Sequence, residues 1–219
     1  MVCLAPRGPG EIVGPRRLSG VVVRPLNFTV RSPAPKLMRY WFSLGRSRWF
    51  GATLHVHLSV VILAAIVALA AIESPAFAAV TLLSFLGLIL LHEWGHAAVA
   101  HYLGYEVKGI WLAAIHGRCE VQAPETEWEH SLIAWGGVAA QLAVAVPIIA
   151  LDSMWHRSLG IFGPVVLILG YYSCVVVILN LLPRKDLDGP IAWRIIPLLR
   201  KRLEARRVVR KALGRRRGR

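Results

Sequence analysis

The chain has 219 residues, 56% of them hydrophobic, with a mean hydropathy of +0.54 and a formal net charge of +14. Soluble domains sit near about 45–50% apolar, so the composition excludes an ordinary water-soluble globule. The positive charge flanks apolar runs, where it suits anionic lipid headgroups, and no nucleic-acid partner is expected.

Residues 1–37 are rich in Pro, Gly and Arg and lack hydrophobic periodicity, so they are expected to be disordered, as part of a basic N-terminal segment over 1–48. No apolar core of a signal peptide stands there. Arginine outnumbers lysine 21 to 5, a bias of GC-rich coding sequence that leaves Met38 as an alternative start. Four apolar windows follow, at 53–72, 75–102, 131–151 and 159–182. Each reaches the roughly 20 residues that cross about 30 Å of hydrocarbon. Ser74 and Pro75 suit the N-cap and first position of the second helix. Between the second and third, "GYEVKGIWLAAIHGRCEVQAPETEWEH" (104–130) has β-prone stretches around His116-Gly117 and predicts a short hairpin. The third and fourth windows are rich in Gly and Ala, including Gly136, Gly137 and Gly170, which permits close helix contact. The expected fold is therefore an all-α polytopic membrane protein of about four transmembrane helices, with a hairpin between the second and third.

Nine Lys/Arg lie in residues 1–50 and fourteen in 184–219, while the loops after the first and third windows carry none and one (Arg157). The positive-inside rule then puts both termini in the cytoplasm, in keeping with an even number of spans. The tail 191–219 is basic and partly amphipathic, suited to a membrane surface. Cys3, Cys119 and Cys174 show neither metal-finger spacing nor a disulfide framework.

The second window contains "LILLHEWGHAAVA" (88–100), with His92, Glu93 and His96 inside hydrocarbon-like sequence. Histidines four apart share one helix face and can reach one Zn²⁺, with the adjacent glutamate as general base. Two helical histidines and a glutamate can also be merely structural, but three ionisable groups in lipid cost enough to need a reason. A catalytic zinc wants a third protein ligand and an open position. "NLLPRKDLDG" (180–189) offers Asp188, with Asp186 as its rival, beyond a helix that Pro183 breaks.

Together "LLHEWGHAAVAHYLGYEV" and "NLLPRKDLDG" resemble the site-two protease family of intramembrane zinc metalloproteases, whose signatures are HExxH and NxxPxxxLDG. The first matches through His92, Glu93 and His96, and the second through Asn180, Pro183, Leu187, Asp188 and Gly189. "FGATLHVHLS" (50–59), with His57, is similar to the lead-in to the family's first core helix. "AWGGVAAQL" (134–142) is similar to its Gly-rich stretch, with Gln141 where the family has asparagine and Gly136-Gly137 where it has Gly-Pro. The likeness covers roughly residues 40–200, with a core over 49–190, and no PDZ or CBS domain fits in the remainder.

The resemblance implies one zinc per chain held by His92, His96 and Asp188, Glu93 as base and proton shuttle, and Asn180 or, second, Gln141 as donor to the oxyanion. It implies an endopeptidase cutting a membrane-spanning protein or peptide substrate within regulated intramembrane proteolysis, in a bacterial inner membrane. His57 and His101 are lesser candidates. An exposed strand edge within 104–123 is expected to take up an unwound substrate by strand addition. The competing functions are a zinc transporter and a catalytically inactive membrane scaffold.

Overall fold

The structure is a computed structural model that describes residues 2–5, 40–46, 51–70, 73–155 and 160–217. In chain order the strands and helices are β1 (Val2–Ala5), β2 (Trp41–Arg46), β3 (Thr53–His57), α1 (Leu58–Ala70), α2 (Pro75–Tyr102), β4 (Val107–Leu112), β5 (Gly117–Gln122) and α3 (Glu127–Trp155). They are followed by α4 (Gly160–Asn180), the single turn α5 (Gly189–Ala192) and the basic α6 (Ile195–Arg217).

Among the described residues three helices, α2, α3 and α4, are long and apolar enough to cross a membrane, the equipment of an integral membrane protein. Pro75 opens α2 where its missing N–H costs nothing. Ser74 occupies the N-cap position, but its side chain makes no capping hydrogen bond. α2 and α3 cross where Gly95 meets Gly136. A Cβ on Gly95 would fall 2.7 Å from the Ala140 Cβ, so only a missing side chain lets the two backbones touch. α4 is not uniform: a π-helical stretch, Val166–Tyr172, widens its middle, and Gly170 there packs against Ile148 and Ile149 of α3, beside Pro147.

The predicted hairpin is present as β4 and β5, closed by Ala113 N–H donating to the His116 carbonyl at 2.9 Å. It belongs to a larger sheet, in the order β1-β5-β4-β3-β2, with β3 parallel to β4 and β1 parallel to β5. One sheet face buries Val107, Ile110, Cys119 and Val121 against Ala97 and Ala100 of α2 and Ile133 of α3. On the sheet, His55 stacks on Trp111 at 4.0 Å, and Trp41 meets Trp111 edge-on at 4.9 Å.

Four expectations change. Neither β4 nor β5 offers the free strand edge expected within 104–123, because β3 and β1 pair with their outer sides and the sheet's edges are β1 and β2. The fold is not all-α, because the sheet has five strands rather than the two of a hairpin. The window 53–72 is not one helix: Thr53–His57 pairs with β4 as a strand, and α1 keeps 13 residues. Such a helix extends about 20 Å, short of about 30 Å of hydrocarbon. The β-branched Thr53 and Val56 favour the extended form, and pairing with β4 and β2 satisfies the backbone of this stretch in the sheet. Within the N-terminal segment 1–48, Val2–Ala5 and Trp41–Arg46 form strands rather than disorder, because each finds a partner strand, β5 and β3. The remainder of 1–37, and Met38, lie outside the described residues.

Candidate functional site

α2 carries His92 and His96 one turn apart, and their rings meet edge to face with centroids 4.6 Å apart. His92 Nε2 lies 2.9 Å from Asp188 Oδ2, His96 Nε2 lies 3.2 Å from the same oxygen, and the two Nε2 atoms are 3.1 Å apart. All three side chains are buried, as is Glu93, at 1% exposure. Among the described residues this is the one group of three or more His, Cys, Asp or Glu arranged to hold a metal ion.

The protonation pattern shows what the group suits. His96 Nδ1 donates to the Ile133 carbonyl at 2.7 Å, and His92 Nδ1 donates to Gln141 Oε1 at 3.0 Å. Both Nε2 atoms are thereby left as lone-pair donors. Two such nitrogens and a carboxylate oxygen, turned on one point, repel one another unless a cation lies among them. Ligands of a tetrahedral zinc with bonds of about 2.0 Å stand about 3.3 Å apart, close to the separations here. The residues fit a metal of that kind.

The local sequence explains the approach of each group. Gly137 of α3 lies over both imidazoles, and a Cβ there would come within 2.6 Å of His92 Cε1 and of His96 Nε2. Gly117, first residue of β5, lies against Glu93; its Cβ would fall 2.8 Å from Glu93 Oε1. Gly189 lets the chain turn after Asp188, since a Cβ there would strike the Leu181 and Leu182 carbonyls.

A cavity of about 510 Å³ adjoins the group, lined in part by His92, Glu93, Gln141, Asn180, His116 and Arg118. The structure thus brings together six residues singled out in the sequence: His92, Glu93, His96, Asp188, Asn180 and Gln141. Gln141 is fully buried, and its Nε2 has no hydrogen-bond partner among the described residues. Asp186 is exposed and reaches the cavity wall, not the histidines. His57 is elsewhere, hydrogen-bonded to Ser59 at 2.8 Å and packed on Trp41, and His101 is exposed. His116, expected only at the hairpin turn, also lines the cavity, as do Arg118 and Tyr172, which no sequence motif marks. The strand alternation of 117–122 could have flagged Arg118, but nothing local marks Tyr172.

No protein-family model and no curated protein matches the chain. Among solved structures, the chain resembles the Site-2 Protease from Methanocaldococcus jannaschii, with a TM-score of 0.59 and 19% identity, over 72% of this chain and 71% of that one. At that identity the likeness is one of fold, and the His-His-Asp group capable of holding a metal lies within that fold.

Proposed function

We propose that the chain is a zinc-dependent intramembrane endopeptidase that cuts a membrane-anchored protein or peptide within its membrane segment. The observation that carries this is the convergence of His92 Nε2, His96 Nε2 and Asp188 Oδ2 within 3.2 Å, beside a cavity that Glu93 lines. The fold likeness to a site-2 protease supports the same reading. His92, His96 and Asp188 would hold the zinc, one ion per chain. Zinc there supplies Lewis acidity, making water more acidic and polarising a carbonyl.

The chain's own groups do the rest. Glu93 takes the proton from the attacking water and returns it to the leaving amine. Gln141 Oε1 fixes the His92 tautomer, and its Nε2 is the leading donor to the oxygen of the tetrahedral intermediate. Asn180, also on the cavity wall, is the second donor. Loss of one such donor costs about 10²–10³ in kcat. A transporter needs successive sites across the bilayer, whereas one candidate metal group stands among the described residues.

The test is cleavage of a helical membrane substrate by purified protein in detergent, with metal content measured in parallel. Glu93→Gln should keep about one zinc per chain and lose cleavage, while His92→Ala and His96→Ala should lose both. Normal cleavage by Glu93→Gln would remove the general base from this reading, and zinc flux in proteoliposomes that survives the substitution would favour a transporter.

A further inference from the structure

α3 contributes none of the three converging atoms, yet each is tied to it. His96 is held by the Ile133 carbonyl and His92 by Gln141. Residues 133, 137 and 141 follow one another at turn spacing and share a face.

The third tie comes from another side of the same helix. Ser131 Oγ and Trp135 Nε1, one turn apart, both donate to the Ala192 carbonyl, at 2.8 and 3.0 Å. They use both lone pairs of that oxygen. Ala192 closes the single turn that starts from Asp188, and its own N–H donates to the Asp188 carbonyl at 2.8 Å. Trp193 Nε1 then donates to the Leu181 carbonyl at 2.7 Å, which joins the far end of this turn to the end of α4. The indoles of Trp135 and Trp193 meet edge to face, with centroids 5.7 Å apart. Between these ties, residues 182–186 are all exposed. Asp188 is braced from the Ala192 side, in addition to the packing of Gly189 on the Leu181 and Leu182 carbonyls.

We propose that Ser131, Trp135 and Trp193 are positioning residues for the third metal ligand, and that α3 serves as the common reference for all three ligands without supplying one. The inference rests on the metal-binding reading above. Outer partners of this kind typically alter metal affinity by about 10–100-fold. Because the ties end on backbone carbonyls, they act on where Asp188 stands and not on its charge.

The experiment titrates full-length protein in detergent with Co²⁺ alone, following its ligand-field absorption, and then measures peptidase activity against metal concentration. Ser131→Ala and Trp135→Phe should each weaken Co²⁺ binding about 10–100-fold. Ser131→Thr, which keeps the hydroxyl, should restore it. At saturating metal, kcat should return to near the unsubstituted value, so that the loss falls on metal affinity. Unchanged Co²⁺ affinity in Ser131→Ala and Trp135→Phe, with only thermal stability lowered, would overturn the positioning role, as would a Ser131→Thr protein no better than Ser131→Ala. If Trp135→Phe does not fold, the two Ser131 variants make the same comparison. Absence of Co²⁺ binding by the unsubstituted chain would instead overturn the metal reading, and this inference with it.

Discussion

Asp188 and Asp186 stand two residues apart and differ in everything that matters to a metal. Asp188 is 1% exposed and touches both imidazoles, while Asp186 is exposed on the cavity wall. Asp188→Asn should therefore weaken zinc binding by more than the roughly 100-fold upper range for outer partners, and abolish proteolysis. Asp186→Asn should leave affinity within a few-fold, as metal titration would show. The glycines allow an equally sharp contrast. Gly137→Ala places a methyl against both histidine rings and should lose metal, whereas Gly87 has nothing within 4 Å of its Cβ position. Gly87→Ala should keep metal and activity, with a thermal midpoint unchanged or raised, since alanine is favoured over glycine in a helix by about 1 kcal/mol.

At the scale of elements, α6 is the one whose surroundings are least provided by the rest of the chain. Arg194 pairs with Glu127 at 3.7 Å and Arg202 lies over the Trp128 ring at 4.1 Å, which ties the start of α6 to the first turn of α3. Beyond that, Ile196, Leu199 and Leu203 remain exposed on one stripe, in a helix with ten Lys/Arg and one Glu. We propose that anionic lipid headgroups are its partner, at about 1 kcal/mol per basic residue near the surface. In bilayer discs containing anionic lipid, α6 should resist trypsin, and the protection should fall as salt is raised. Equal protection in zwitterionic discs would assign the stripe to apolar burial alone.

For the whole molecule, the parallel pairing of β3 with β4 decides the path of the chain. β4 follows the C-terminal end of α2, Leu54 of β3 packs against the core cluster that includes Ala97 and Ala100, and Ser59 at the start of α1 accepts from Ala114 N–H beside the hairpin tip. Four residues, 71–74, then separate α1 from the start of α2. The chain thus runs back along much of α2 through a helix of about 20 Å and a short connection. Activity reporters fused after His116 and after Arg219 should report the same side of the membrane, and one fused after Ser74 the opposite side. A reporter after Ser74 that matches the other two would overturn this layout, together with the meeting of His92 and Asp188 on one side.

Much of this was legible in the residues alone. Apolar runs of sufficient length marked α2, α3 and α4, because a lipid-crossing helix must satisfy its backbone internally and announces itself by length. Turn spacing put His92 and His96 on one face, and three ionisable groups in hydrocarbon-like sequence marked the site. Partnership across the chain was another matter. That β3 is a strand depends on β4, more than 50 residues away, and a strand's backbone partners leave no trace in its own periodicity. That Asp188 rather than Asp186 reaches the histidines depends on Gly189 and on Ser131 and Trp135 gripping the Ala192 carbonyl. A carbonyl has no side chain to read, so only the tertiary structure could decide where it places the ligand.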